Sequence, residues 1–482
     1  MNEPVWANAN IWESVAVALP EEPAIIQGEQ VMDWRTFDTR ANSLAAHFLA
    51  AGLKHQSKVG TYTKNGAEYL VATYAAFKVG MVAFNINCSY GAEGIGYLLD
   101  NSDAQAVVFE ANYTAIIEAM RDRLPMMKSW IGIAREGAGA PEWAVDYDEI
   151  PDREVRVMAP WGRNGNDLLF IYTGDTTGMP KGVKWRQGDL LAKAGYGANS
   201  LTGLPPLEDP EQAGPRAKML PLRPRSRIAP PLMHGTGMLS AFGALTGGGS
   251  VILLPRGHFS GELLWDIAAQ HKATRVTIVG QPFAQPMWEA LEANPGQWSL
   301  SSIFVIGSLG AMWSRGNKQG RVAVGGYIPV GYYKDEAKSA STFIEFEGRA
   351  WSMPGDWAEV NDDGSLTLLG RGSQCINSGG EKIFPEEVEE VLKCHDAVRD
   401  AAVSGIPDDR FGEGIAALVE LHVGSTANEA EPVEHVKSVL SDYKAPRHVL
   451  VVKTIPRARN GKMDYKSVKE QAVTAFASEA AA

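Results

Sequence analysis

Leu168-Leu169-Phe170-Ile171-Tyr172-Thr173-Gly174-Asp175-Thr176-Thr177-Gly178-Met179-Pro180-Lys181-Gly182-Val183 begins as an apolar run and passes into a Gly/Thr-rich turn that ends in a lysine. The apolar run reads as a strand. The turn reads as an anion cradle, because glycines let backbone N–H groups approach an anion closely, threonine hydroxyls add donors, and the lysine brings a point charge. Its spacing is neither that of the G-x-x-x-x-G-K-[ST] P-loop nor that of the G-x-G-x-x-G dinucleotide turn. A nucleotide bound here is therefore handled by another kind of site.

On either side of this stretch the chain alternates between strand and helix patterns. From Lys58 onward the pattern predicts a strand at Val59 to Thr63, a helix at Ala67 to Lys78, a strand at Met81 to Ile86, a helix at Ala92 to Leu99 and a strand at Ala104 to Phe109. The alternation returns at Val251 to Leu254, Glu262 to Ala269, Arg275 to Val279, Phe283 to Ala293 and Ile303 to Ile306. Such alternation predicts parallel sheets with crossovers, here an α/β fold with two doubly wound sheets. After Arg371 the texture changes to a helix at Pro385 to Lys393, strands near Ala401 to Gly405 and Ile415 to Leu421, a helix near Val433 to Leu440 and a strand at Val449 to Lys453. This predicts a separate small α+β lid. Pro385 suits a first helical position, and Glu386 and Glu387 suit the positive end of the helix dipole.

The 482 residues exceed one typical core, and 45% hydrophobic content is ordinary for a globular protein. A net charge of −12 argues against nucleic acid or an anionic membrane as the main partner, so an anionic ligand must meet local positive charge. Cys88, Cys375 and Cys394 lie far apart, with no spacing suited to zinc, which fits a reduced cytoplasmic setting. Met1 to Pro20 contains Glu3 and Glu13 but no basic leader pattern, and no run of 18 apolar residues predicts a membrane span.

The opening stretch closely resembles the signature loop of the adenylate-forming superfamily of acyl-CoA synthetases, luciferases and peptide-synthetase adenylation domains. It departs from that pattern only at Asp175, where glycine is expected. Trp351-Ser352-Met353-Pro354-Gly355-Asp356 and the long segment from Leu369 to Glu389 resemble further elements of the same superfamily, as do Ile455-Pro456-Arg457-Ala458-Arg459-Asn460-Gly461-Lys462 and Pro230-Pro231-Leu232-Met233-His234-Gly235-Thr236-Gly237. The resemblance runs from about Trp12 to Lys466 with the motifs in order. It implies a large N-terminal domain, residues 1–372, in which a small barrel-like part accompanies the two sheets, and a mobile C-terminal domain, residues 373–482. The hinge falls at Ser373 to Gln374.

Roles follow from the resemblance residue by residue. Thr173, Thr176, Thr177, Gly178 and Lys181 hold the pyrophosphate end of ATP, and Ser308 and Gly310 receive adenine beside Gly307. Asp356 accepts from the ribose hydroxyls, while Arg371 forks onto ribose and phosphate oxygens. Gly379 and Gly380 leave room for the pantetheine arm of coenzyme A. Lys462 bridges the substrate carboxylate and the α-phosphate. His234 gates or assists the thiol, the alternative being a packing histidine. The expected reaction joins a carboxylic acid to coenzyme A through an acyl adenylate with ATP and Mg2+, and a homodimer is compatible with it.

An apolar acid is expected, since Trp185, Met233, Met238, Met312 and Trp313 lie in or near pocket-forming segments, with general packing as the alternative reading. Met179 to Arg186 looks like the bacterial fatty-acyl and steroid-side-chain ligases. Two rivals stay open: an adenylate former that hands its acyl group to a carrier protein, and an impaired relative that only binds. Asp175 supports the second rival by placing a carboxylate beside phosphate.

The interval after Ile303 to Ile306 supports it too. There the superfamily has several strands and an acidic loop of the form Tyr-Gly-x-Thr-Glu, whose glutamate helps position magnesium, and this chain lacks that loop, so its metal ligands stay unassigned. Either the deletion is real or residues are missing between Gly320 and Arg321. The second alternative is favoured and predicts Cα atoms there well beyond the ~3.8 Å of a trans peptide.

Overall fold

The computed structural model describes residues 4–476 apart from 136, 176–177, 199–203, 256, 258, 280, 309–318, 347, 361–365, 372–373, 379–380, 409–411, 426, 441 and 459–462. The chain divides into two compact units, Met1–Ala311 with Gly325–Ala350, and Met312–Val324 with Trp351–Ala482.

The larger unit contains an eight-stranded sheet ordered Gly331–Tyr332, Gly178–Arg186, Leu168–Asp175, Val82–Asn85, Lys58–Tyr62, Ala104–Glu110, Ser129–Ile133 and Val145–Asp146. Neighbours from Leu168–Asp175 onward are parallel, and the two strands at the other end are antiparallel. The chain leaves Lys58–Tyr62 for Val82–Asn85 on one side and then crosses to Ala104–Glu110 on the other, which makes the sheet doubly wound. Strand alternation sends adjacent side chains to opposite faces. Val59 and Ala83 accordingly pack with helix Ala67–Lys78, while Val82 and Phe84 pack with Ile95, Leu98 and Leu99 of helix Ala92–Asn101.

A second, six-stranded sheet is ordered Val305–Ser308, Arg275–Ile278, Arg225–Ile228, Ser250–Leu253, Pro23–Gln27 and Gln30–Asp33. All its pairs are parallel except the last. Its outer face is covered by helices Gly261–Gln270 and Gln281–Ala293 over Ile252 and Val276. Its inner face shares a helical layer with the first sheet. One apolar core joins helices Asn8–Ala18, Trp34–Ala50, Ala67–Lys78 and Gly235–Thr246 to Val59, Ala83 and Val108 of one sheet and to Ile25, Ile228 and Val251 of the other.

Because helix Ala67–Lys78 lies in that layer, every residue from Tyr69 to Lys78 is buried. Lys78 is 0% exposed, and its Nζ lies 2.7 Å from Glu13 Oε1 and 2.7 Å from Asp38 Oδ1. Arg163 brackets the same Glu13 carboxylate with both Nη atoms at 2.8 Å. Burial alone would raise the Glu13 pKa, but Lys78 and Arg163 outweigh it and hold the carboxyl below its ordinary range.

In the smaller unit Asp356–Val360 pairs antiparallel with Leu366–Arg371 and with Gln319–Arg321. The strands Ile376–Ser378, Glu381–Ile383, Val398–Asp408, Gly412–Leu421 and His448–Val452 form a five-stranded sheet packed by helices Pro385–Lys393, Ala430–Val439 and Tyr465–Phe476. Only the last of these strands pairs parallel.

The α/β architecture, both doubly wound sheets and the small α+β unit agree with expectation, and helices Ala67–Lys78 and Pro385–Lys393 keep the expected bounds. One expectation is overturned. The strand Gln319–Arg321 passes through the suspected break with consecutive rungs, Gly320 opposite Ala358 and Arg321 opposite Trp357, so the expected wide separation of the Gly320 and Arg321 Cα atoms is not found.

Candidate active site

The signature stretch folds as a β-hairpin in the larger unit. Leu169 and Ile171 enter the shared helical core, whereas Phe170 and Tyr172 enter the core on the opposite face, so the run is apolar throughout because both faces are covered. Cover ends at Thr173, which is exposed. The return strand Gly178–Arg186 places Lys181 directly opposite Thr173 and Gly182 opposite Tyr172, with a bulge between Thr173 and Asp175 and a last rung from Asp175 to Gly178. Directly opposed residues share a face, so the threonine hydroxyl and the lysine are cross-strand neighbours. Gly182 has a packing reason of its own, since a Cβ there would lie 2.9 Å from the Tyr172 ring. That ring is fixed by its Oη donating to Asn101 Oδ1 at 2.8 Å.

Lys181 Nζ lies 2.6 Å from Asp335 Oδ2, with both side chains about a quarter to a third exposed (30% and 26%). Asp335 precedes helix Glu336–Thr342 and also accepts from Lys338 N at 2.8 Å. The hydrogen bond from Lys181, followed by the Lys338 N–H, holds the Asp335 carboxyl below the usual carboxylate range. Sequence reading missed Asp335, which lies 154 positions from its partner.

Asn85 is a second residue that went unanticipated. It is 3% exposed at the carboxyl end of Val82–Asn85; its Nδ2 donates to Tyr172 O at 2.9 Å and to Met233 O at 2.7 Å, and its Oδ1 accepts from Tyr172 N at 2.7 Å. One amide thus ties the residue before Thr173 to the residue before His234. His234 is the cap position of helix Gly235–Thr246 and is held by its N–H donating to Pro231 O at 3.0 Å. Gly237 makes that turn possible, because a Cβ would lie 2.4 Å from Pro231 O. Met238 is buried, and Met233 and Trp185 are half-buried and pack against the shared core.

Ser308 ends its strand opposite Ile278, at the carboxyl edge of the six-stranded sheet, where ligands of open α/β sheets bind. In the smaller unit Asp356 and Arg371 face each other as the first rung of an antiparallel pair, and Asp356 O accepts from Val322 N at 2.8 Å. Thr176, Thr177, Gly310, Gly379, Gly380 and Lys462 lie outside the described residues, as do Met312, Trp313 and Ser373. Among the described residues no group of three or more His, Cys, Asp or Glu side chains could hold a metal ion, and no helix is long and apolar enough to cross a membrane.

Comparison with known proteins gives this geometry a family. Residues 12–395 match the AMP-binding enzyme family, and residues 387–462 match the AMP-binding enzyme C-terminal domain. A 3-oxocholest-4-en-26-oate–CoA ligase of Rhodococcus rhodochrous is 34% identical over 538 aligned positions, covering 96% of this chain and 95% of the relative. A medium/long-chain-fatty-acid–CoA/3-oxocholest-4-en-26-oate–CoA ligase of Mycolicibacterium smegmatis is 32% identical with 96% of each chain covered. The first alignment is longer than the 482 residues of this chain, so the relative holds residues that this chain lacks. The fold matches the anthranilate CoA ligase AuaEII in complex with anthranoyl-AMP at a TM-score of 0.81, with 20% identity and 99% of each chain covered. It also matches ATP-bound MatB from Rhodopseudomonas palustris at 0.74, with 21% identity over 96% of this chain and 99% of that one. From its signature hairpin to its small α+β unit, this chain belongs to the AMP-binding enzyme family of adenylate-forming acyl-CoA synthetases.

Proposed function

We propose that the chain activates an apolar carboxylic acid, of the fatty-acyl or steroid-side-chain type named for its relatives, as an acyl adenylate and transfers the acyl group to coenzyme A. The observation that carries the site assignment is the Thr173–Lys181 rung at the uncovered end of the hairpin, tied through Asn85 to the segment holding His234. The contact with Asp335 shows that Lys181 can receive a carboxylate oxygen, and a phosphate oxygen makes the same demand on an ammonium. In this reading the acid attacks the α-phosphorus, pyrophosphate leaves toward Thr173, Thr176, Thr177, Gly178 and Lys181, and Lys462 stabilises the charge that develops. Asp356 and Arg371 receive the ribose, and Ser308 and Gly310 the adenine.

The second step has the thiol of coenzyme A displace AMP past Gly379 and Gly380, after residues 373–482 rotate about Ser373 to Gln374. Magnesium is typical of such reactions. Bound with the nucleotide, it would balance phosphate charge. A cytoplasmic setting is part of the proposal, and Cys88, Cys375 and Cys394 are joined in no disulfide.

Pyrophosphate release across a panel of carboxylic acids, with and without coenzyme A, tests the function. Thioester formed only from long apolar acids is the expected result. Adenylate without thioester points to a carrier protein as acceptor, and no release with any acid points to a binding protein. In the same assay Asp175→Gly is expected to tighten ATP binding, by roughly tenfold if one like charge within a few ångströms of phosphate is removed. An unchanged or weaker apparent affinity discards that account of Asp175.

A further inference from the structure

The ends of the segment that carries Lys462 are fastened by three carboxylates, each from a different element of the smaller unit. Glu420, on Gly412–Leu421, accepts from Ile455 N at 3.0 Å. Asp400, on Val398–Asp408, lies 2.6 Å from Arg457 Nη2, and Arg457 forms an isolated β-bridge with Met463. Glu389, on helix Pro385–Lys393, accepts from Tyr465 Oη at 3.1 Å and from Val403 N at 2.8 Å. The bond from Asp464 N to Pro456 O, 3.1 Å, closes the base between them.

The third of these is the costly one. Glu389 is 4% exposed, and burial, helped by Glu386, pushes its carboxyl up to about 8 against the opposing pull of Val403 N–H, Lys393 and Tyr465. A leucine or methionine would fill such a place with less desolvation. What the carboxyl adds over an apolar side chain is direction: one oxygen on the strand Val398–Asp408 and the other on the first residue of helix Tyr465–Phe476, three positions after Lys462. The bland alternative is that the contact merely steadies that helix.

Resting on the reading of Lys462 as the lysine of the adenylation step, we infer that Glu389 and Tyr465 are positioning residues that set where Lys462 is delivered. They serve adenylation and have no part in thioester formation. A displacement of about 1 Å at a reacting centre costs on the order of 10²-fold, so loss of one hydrogen bond in the fastening is expected to cost roughly tenfold.

The test uses the full chain and separates the half-reactions: pyrophosphate release from acid and ATP in a single turnover, and thioester formation from a supplied acyl adenylate and coenzyme A. Tyr465→Phe and Glu389→Met are each expected to lower the first rate roughly tenfold, with apparent ATP affinity within about threefold and the second rate within about twofold of the parent. A variant that lowers both half-reactions together overturns the inference in favour of a structural role. If Glu389→Met does not fold, the near-isosteric Tyr465→Phe carries the test alone. Lys462→Ala with normal adenylation overturns the underlying reading. Lys462→Ala inactive, with Tyr465→Phe and Glu389→Met at the parental rate, overturns the positioning role alone.

Discussion

Lys462→Ala is expected to slow acyl-adenylate formation by roughly 10²–10³-fold, the usual cost of removing one group aimed at developing charge in a dry site. Thioester formation from a supplied adenylate is expected to stay within about twofold of the parent, because in the proposed reaction the second half makes no use of that ammonium. The split matters more than the size of the loss. A lysine that served only folding would depress both steps, and one that only attracted nucleotide would raise the KM for ATP without changing the single-turnover rate. Lys462→Arg probes the same point, since it keeps the charge but replaces a compact ammonium by a planar fork, and should restore little of the lost rate.

The largest effect on stability is expected at Glu13. Glu13→Ala leaves Lys78, which is 0% exposed, with Asp38 alone, and strips Arg163 of both bonds to carboxylate oxygens at 2.8 Å. Removing one partner of a buried ionic cluster costs about 3–5 kcal/mol, because charge stays in the interior uncompensated. Arg156 also reaches Glu13, at 2.7 Å, but its side chain is 54% exposed, so Arg156→Ala should cost under about 1 kcal/mol. Urea unfolding followed by tryptophan fluorescence would measure both, Trp12 and Trp34 being buried in the same core. Equal midpoints for Glu13→Ala and the parent would remove Glu13 as the hub. The two units need not unfold together, so the comparison holds for the transition of the larger unit.

Glu13 also marks a limit of sequence reading. In the sequence it is one acid of many; in the fold it gathers Lys78 and Arg163 from positions 65 and 150 residues away. Periodicity reports which face a residue takes within its own element and is silent about partners across a sheet. The same reason hid Asn85, whose partners are Tyr172 and Met233, and Asp335, whose partner is Lys181.

The elements of the two sheets and of the small unit were legible because each buries a continuous or periodic apolar stretch. The return strand of the signature hairpin was not, since Pro180 argues against a strand. It is accommodated where the ladder is already irregular, opposite the bulge between Thr173 and Asp175. The facing pair Asp356 and Arg371 could be named from motif resemblance, but not its register. The break expected after Gly320 rested on an interval short for the family, and the rungs of Gly320 and Arg321 run through it.

That short interval follows in sequence on Val305–Ser308, the terminal strand of its sheet, where Phe304 and Ile306 stand 66% and 54% exposed. The helical layer behind it is the opposite case, because both sheets lean on the same four helices. Gain or loss of sequence at the rim disturbs one flank and leaves the rest of the scaffold intact, whereas an excision of equal length from the middle layer would bare two sheets at once. A change of length is accordingly easier for this scaffold to absorb at its rim than in its middle layer.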